Sequence, residues 1–250
     1  MRYGFVLALV LGTGAAMAQE VSVPDGMQMR QLSTHMGEMY AEISDESASA
    51  GGFLETVRFE PWQMIDEMFT RSDVVYLMRH GPTDWSKLDD KGVASTDCDN
   101  QRVMGPEGAA AMENLGLLLG SNGVWPGQIV VSEWCRNQQT VENLKAGFAR
   151  ADNARTAALP VETDADLNLL LSLQGAPDVV GMRERITNWD GGDGSGPLLM
   201  ISHFTNIEEL TNFTVFEGEI LVLDPKRDNR VLGYVRLTSA EPDVGHFSPQ

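Results

Sequence analysis

The sequence predicts one three-layer α/β domain, in which a mostly parallel central sheet carries helices on both faces. Three short apolar runs, at 74–78, 128–132 and 198–202, are the main indication. Each run has the length of a strand that is buried on both faces and is too short for a typical helix. Helical patterns separate the runs, and strands that alternate with helices form a largely parallel sheet. Their carboxyl ends are therefore expected along one edge of that sheet.

Further helix and strand patterns occupy much of the chain around these runs. Apolar residues, many of them methionines, recur every three or four positions over 29–43, which predicts an amphipathic helix. The other predicted elements are helices over 61–69, 106–119, 140–149 and 182–189, an apolar segment of undecided type over 164–175, and two late strands over 219–223 and 231–237. The stretch 85–102 has no clear period, and loops of this length in compact domains are usually functional or mobile.

The first residues have the pattern of a secretory signal peptide over 1–18. Arg2 precedes a short apolar run, and Ala-Met-Ala at 16–18 is a small-x-small cleavage site. We expect cleavage after Ala18, a periplasmic or secreted protein, and no membrane insertion, since no other stretch approaches about 18 apolar residues. Residues 19–72 are expected to form an N-terminal helical extension packed on a domain that spans 73–250.

The charge balance is strongly acidic, with 18 Lys and Arg against 36 Asp and Glu and a formal net charge of −18. Nucleic acids and anionic membrane surfaces bind basic patches, so neither is an expected partner. An anionic substrate would need a local cluster of cations in this repelling field. The few arginines near a candidate site therefore deserve particular weight.

The chain contains two cysteines, Cys98 and Cys135. In an exported protein an even pair of cysteines is more often a disulfide than two thiols. We therefore expect a Cys98–Cys135 bridge. A catalytic cysteine is the weaker alternative, and a metal site built on the two cysteines would lack obvious partners, so no metal is expected.

The three predicted buried strands are followed by residues suited to phosphate. Arg79 and His80 end the first, Arg136 follows the second, and His203 follows the third. Guanidinium groups offer paired donors that match phosphate oxygens, and a neutral imidazole can attack phosphorus. Neither Gly-Lys-Ser/Thr nor Gly-x-Gly-x-x-Gly occurs, so no nucleotide loop is expected. The pattern predicts a phosphate site without a cofactor.

These residues lie in motifs that resemble the histidine phosphatase superfamily, which includes the cofactor-dependent phosphoglycerate mutases. The family signature Arg-His-Gly-x-Thr is matched over 79–83. Its second block, Ser-x-x-x-Arg-x-x-Gln-Thr, is matched over 132–140, and its third, an apolar strand that ends in Ser-His, by Ser202-His203. Order and spacing agree over roughly 74–237. The stretch 97–102, with a cysteine just before the second-block arginine, is similar to an exported subgroup with two cysteines in those places.

The resemblance implies a phosphoglycerate mutase-like fold and a phosphomonoesterase that acts through a phosphohistidine intermediate. His80 is then expected to be the nucleophile. Arg79, Thr83, Arg136 and His203 are expected to bind the phosphoryl oxygens. The substrate would be a small phosphomonoester, and the protein is expected to be a monomer.

One part of the family pattern is missing from this chain. Many members carry a Glu after the second block that protonates the leaving oxygen, and the nearest equivalent stretch, 166–171, contains no Glu. Asp84, Asp97 and Asp99 are the candidates for this general acid. Without one, the enzyme would favour leaving groups that need little protonation.

Two other functions remain open at this point. A catalytically inactive phosphate-binding protein of the same fold would be expected to lack the nucleophile or one of the main phosphate-binding residues, and His80, Arg79, Arg136 and His203 are all present. A phosphoryl-transferring mutase is disfavoured by the missing Glu and by the export signal, because mutase substrates are cytosolic metabolites. Two further histidines, His35 and His246, have no such context and are expected to be incidental.

Overall fold

The computed structural model describes residues 61–170 and 172–236. In this part of the chain the helices are α1 (Pro61–Thr70), α2 (Pro106–Ser121), α3 (Cys135–Ala151), α4 (Asn153–Ala158), α5 (Val180–Thr187) and α6 (Phe204–Thr211). The strands are β1 (Val75–Arg79), β2 (Gln128–Val131), β3 (Val161–Thr163), β4 (Leu198–Ser202), β5 (Ile220–Asp224) and β6 (Arg230–Val235). The predicted signal peptide, the helix over 29–43 and the tail after 236 lie outside the described residues.

The strands form one mixed sheet in the order β3-β2-β4-β1-β5-β6. The first four run parallel, whereas β5 pairs antiparallel with β1 and β6 pairs antiparallel with β5. The predicted α/β fold with a mostly parallel sheet is confirmed. The three strands recognised from their apolar runs are the adjacent strands β2, β4 and β1. Arg79 lies opposite Ser202 in the β1–β4 register, so the ends of these strands meet at one edge of the sheet.

Alternate residues of the central strands contribute to two separate cores. Tyr76 and Met78 of β1 face one core, which also contains buried side chains of α1, α2 and α3. Val75 and Leu77 face the other core, which α5 and α6 complete. This alternation follows from the period of two in a strand. Helices therefore cover both faces, which confirms the predicted three layers.

Strand β3 and the short helices α4 and α6 are absent from the sequence prediction, and helices α3 and α5 begin earlier than predicted. All three residues of the edge strand β3 are exposed, so β3 carries no apolar run. The short helices α4 and α6 were also not predicted from the sequence. Helix α3 begins at Cys135, before the predicted Thr140, because its polar first turn is buried against neighbouring strand ends and shows no apolar period. The segment 164–175 contains a short 3₁₀ turn, Ala165–Leu167.

Helix α1 packs directly on the sheet. Met68 is fully buried, and the hydroxyl of Tyr76 donates a hydrogen bond to its carbonyl oxygen at 2.6 Å. A Cβ atom on Gly233 of β6 would lie only 2.8 Å from Met68 Sδ, so this glycine allows the close approach. The domain boundary at 73 stays a prediction, because most of the extension lies outside the described residues. Across the described ranges, no helix has the length and apolar character needed to span a membrane.

Candidate phosphate site

Four of the five residues predicted to form the site are brought together at the edge of the sheet. Arg79, His80, Arg136 and His203 line one cavity of about 300 Å³, and each is at most 4 % exposed. The rings of His80 and His203 lie 5.6 Å apart between centroids. The amide of His80 donates to the carbonyl oxygen of Ser202 at 3.0 Å, which fixes the first motif against the third.

The glycine and threonine of the motifs hold the first block against α3. The amide of Gly81 donates to Thr140 Oγ1 at 2.8 Å, and that hydroxyl donates to the carbonyl oxygen of Arg136 at 2.7 Å. A Cβ atom on Gly81 would lie 2.5 Å from Met112 Cγ, so a larger residue would have to displace that side chain. The two motifs are therefore joined through their small residues, next to the nucleophile candidate.

The hydrogen bonding of His80 identifies its free ring nitrogen. Nδ1 lies 3.0 Å from the carbonyl oxygen of Gly81, and a carbonyl can only accept, so Nδ1 carries the hydrogen. Burial, followed by the charges of Arg136 and Arg79, holds the pKa of His80 well below its usual value. The ring is thus neutral near pH 7, with a lone pair on Nε2. This is the form of imidazole that can attack phosphorus.

A chain of hydrogen bonds also sets the tautomer of His203. Asn168 Oδ1 accepts from the amide of Glu133 and from the hydroxyl of Ser132, each at 2.9 Å. Because the Ser132 proton is directed to Asn168, its oxygen accepts from His203 Nε2 at 3.0 Å. Nδ1 of His203 is buried and has no hydrogen-bond partner among the described residues. Burial, then the charges of Arg136 and Arg79, also lowers the pKa of His203.

The two predicted arginines are held by different contacts. Arg79 Nη1 donates to the carbonyl oxygen of Val215 at 3.0 Å, and its guanidinium lies over the ring of Phe204. Arg136 Nη1 lies 3.0 Å from both carboxylate oxygens of Asp89. Burial lowers the pKa of Arg136 to about 10, which leaves it cationic near neutral pH. Both guanidinium groups are thus held in place at the cavity, and Arg79 and Arg136 together are called the arginine clamp below.

The long loop 85–102 supplies cavity residues that sequence reasoning missed. Thr83 bridges to Met104, so the loop returns to the end of β1. It thereby brings Trp85, Asp89 and Arg102 to the cavity lining. The guanidinium of Arg102 stacks on the ring of Trp85, with Cζ 3.5 Å from its centroid. In the sequence, Arg102 belongs only to the stretch 97–102, to which the resemblance assigns no role for this arginine, and no pattern distinguishes Asp89 from the other aspartates of the loop.

Glu217 is a further residue of the site for which the sequence contains no signal. It is 3 % exposed and lies before β5, outside every motif. Its carboxylate is 3.4 Å from Arg79, 3.6 Å from Arg102 and 4.0 Å from His80 Nδ1. The amide and hydroxyl of Thr83 donate to Glu217 at 2.9 and 2.7 Å. The hydroxyl of Thr83 is therefore directed to this carboxylate, and Thr83 is not among the residues that line the cavity.

None of the three predicted general acids lines the cavity. The Asp84 carboxylate accepts from the amide of Ser86 at 2.9 Å, and hydrogen bonds from Ser86 lower the pKa of this carboxyl group. Asp97 accepts from the side chain of Asn100 at 2.9 Å, and Asp99 is exposed in the short 3₁₀ helix that follows. Among the described residues, Asp89 is the carboxylate in the cavity lining.

The predicted disulfide between Cys98 and Cys135 is present, with a Cα–Cα distance of 5.5 Å. It joins the loop 85–102 to the first residue of α3, immediately before Arg136. The prediction of the bridge is thus confirmed, and its position ties the loop to the arginine clamp.

Solved structures of similar shape include named phosphatases. The protein histidine phosphatase SixA in complex with tungstate is 19 % identical, with a TM-score of 0.48, and the match covers 67 % of this chain and 99 % of that one. A SixA protein from Agrobacterium tumefaciens is 17 % identical, with a TM-score of 0.45 and coverage of 66 % and 97 %. A mycobacterial glucosyl-3-phosphoglycerate phosphatase is 14 % identical, with a TM-score of 0.40 and coverage of 68 % and 99 %.

No family model and no curated protein matches the chain.

Proposed function

We propose that this chain is an exported phosphatase that hydrolyses a small phosphomonoester through a phosphohistidine on His80. The observation that carries the proposal is the convergence of two buried guanidinium groups and a neutral imidazole with a free Nε2 on one cavity. The guanidiniums would bind and partly neutralise the phosphoryl oxygens. The imidazole would then be held close to phosphorus, which lowers the entropic part of the barrier.

The surroundings of His80 suit the charge that develops on its ring during attack. When Nε2 bonds to phosphorus, the imidazole becomes cationic. The carbonyl oxygen of Gly81 already accepts from Nδ1, and the carboxylate of Glu217 lies 4.0 Å from the same nitrogen. Both groups would stabilise the cationic ring more than the neutral one, and interactions that strengthen in this way accelerate the reaction.

His203 is proposed to act on the phosphoryl group through Nδ1. Its other nitrogen is already bound to Ser132, so Nδ1 is the atom left for a ligand. A bound phosphate favours the protonated imidazole because it brings negative charge next to the ring. His203 would then donate to a phosphoryl oxygen and share the clamp with Arg79 and Arg136. The two buried histidines thereby take different roles through their hydrogen bonds.

The proposal also covers the compartment in which the protein acts and the molecules that it binds. The disulfide supports an oxidising compartment, because such bridges persist mainly outside the cytosol. The signal-peptide pattern over 1–18 points to the same place. The partner would be a small phosphomonoester and not a nucleic acid, given the net charge of −18. We propose that the protein acts as a monomer.

The test is turnover of a panel of phosphomonoesters by the wild type and by His80→Ala. We expect the variant to lose turnover but to keep part of its affinity for inorganic phosphate, because the arginines remain. Rapid quenching of the wild type should trap an acid-labile, base-stable phosphoprotein. Turnover by His80→Ala at the wild-type rate would refute the phosphohistidine mechanism. Binding of phosphate by the wild type without any turnover would identify an inactive phosphate-binding protein instead.

A further inference from the structure

The carboxylate of Asp89 contacts the guanidinium of Arg136, one of the two arginines of the clamp. Both of its oxygens lie 3.0 Å from Arg136 Nη1, and its side chain lines the same cavity as His80. Oδ1 also accepts from the backbone amide of Arg102 at 2.7 Å. Both oxygens therefore contact the guanidinium, and Oδ1 has a second anchor in the backbone.

A substrate phosphate would compete with Asp89 for Arg136. The phosphate carries more negative charge than the carboxylate and matches the same donors. When it binds, Oδ1 can stay on the amide of Arg102, and Oδ2 is released beside the phosphate. A carboxyl group next to a dianion is favoured in its protonated form, because two like charges disfavour each other. As the phosphate binds, the displaced oxygen would take up one proton from solvent and hold it close to the reacting ester.

We propose that Asp89 is the catalytic acid that the family pattern leaves unfilled in this chain. The inference rests on the proposed phosphatase function and supplies its leaving-group step. His80 Nε2 attacks phosphorus as the ester P–O bond breaks. The electron pair of that bond goes to the leaving oxygen, which takes the proton from Asp89 Oδ2. The products of this step are the free alcohol, phosphohistidine and the Asp89 carboxylate.

The second step reverses the proton transfer. The Asp89 carboxylate takes a proton from a water molecule as the water oxygen bonds to phosphorus. The P–N bond breaks, and its electron pair returns to Nε2 of His80. Inorganic phosphate leaves, and Asp89 is again protonated, so one residue serves as acid and then as base.

The other carboxylates near the site are placed less well for this role. Asp84, Asp97 and Asp99 lie outside the cavity lining. Glu217 is near Nδ1 of His80, which is the ring nitrogen opposite the attacking Nε2. It also accepts two hydrogen bonds from Thr83. Glu217 is therefore suited to hold His80, and Asp89 to reach the leaving group.

The test uses Asp89→Asn, which retains the oxygen acceptor for the amide of Arg102 but has no carboxyl proton. We would measure kcat/KM, which reports formation of the phosphoenzyme, for p-nitrophenyl, phenyl and simple alkyl phosphates. General acid catalysis typically contributes about 10²- to 10⁴-fold, and it matters most for poor leaving groups. We expect a loss of that size with alkyl phosphate and little loss with p-nitrophenyl phosphate. Activity on the nitrophenyl ester also shows that the variant is folded.

Asp90→Asn is the matched control, since Asp90 is the exposed neighbour of Asp89 and is not in the cavity lining. This control variant should have the wild-type kcat/KM on all three substrates. An equal loss of kcat/KM on all substrates, with weaker inhibition by inorganic phosphate, would show that Asp89 only orients Arg136 and would overturn the proposal. No loss on any substrate would overturn it too. Either result for Asp89→Asn can be told apart from failure of the proposed phosphatase function, because in that case the wild-type protein itself would form no phosphohistidine.

Discussion

Removal of the disulfide should weaken both the fold and the phosphate site. The bridge joins Cys98 and Cys135 across a sequence separation of 37. In the chain-entropy model, a closed loop of that length restricts the unfolded chain by about 4 kcal/mol at 25 °C. Without the bridge, the unfolded state regains that freedom. We therefore expect the double variant Cys98→Ala/Cys135→Ala to lose about 4 kcal/mol of unfolding free energy, less any relief of native strain.

The same change should loosen the loop that carries Asp89 without releasing it completely. Gln101 donates to the carbonyl oxygens of Ala94 and Ser95 at 2.7 and 2.8 Å, and it accepts from the amide of Cys135 at 3.2 Å. These contacts would keep part of the loop near α3. We expect KM for a phosphomonoester to rise several-fold, with a smaller change in kcat.

Urea unfolding and steady-state kinetics of the wild type and the double variant would measure both effects. A reductant should reproduce them in the wild type and leave the double variant unchanged, which separates the bridge from other effects of the alanines. A change below about 1 kcal/mol together with an unaltered KM would refute the reasoning. In that case the bridge would neither restrict the unfolded chain nor hold the loop.

Two further predictions concern the clamp and the buried histidines. Arg136→Ala should lower kcat/KM by about 10- to 150-fold, the equivalent of the 1.5–3 kcal/mol typical of a hydrogen bond to a charged group. The control variant Arg150→Ala, which changes an exposed residue of the same helix α3, should leave kcat/KM unchanged. Burial holds the pKa of His80 and of His203 well below its usual value, so below about pH 6.5 the unfolded chain binds protons that the native state does not. The unfolding free energy measured in urea should therefore fall with decreasing pH, by up to about 1.4 kcal/mol per pH unit for each histidine. If the double variant His80→Asn/His203→Asn showed the same dependence of unfolding free energy on pH as the wild type, the prediction would be wrong.

Local patterns in the sequence were sufficient to predict the centre of the sheet and the four residues at its edge. A strand buried on both faces must be apolar along its length, so β1, β2 and β4 appear as short apolar runs. Because parallel strands end on the same edge, the residues that follow them are expected to meet, and Arg79, His80, Arg136 and His203 do line one cavity. The disulfide was also predictable, since the signal-peptide pattern predicts export and two cysteines in an exported chain favour a single bridge.

The remainder depended on the tertiary structure. The edge strand β3 is exposed, so no apolar run distinguishes it from a loop. Asp89 reaches the clamp only because the loop 85–102 returns to the end of β1, and a loop without a period contains no signal of which aspartate will point inward. Glu217 reaches Arg79 across a sequence separation of 138. The sequence by itself determined which residues we propose to bind phosphate and to attack it, because these residues lie in motifs at strand ends. The tertiary structure decided which carboxylates face them, since contacts between distant segments leave no local pattern in the chain.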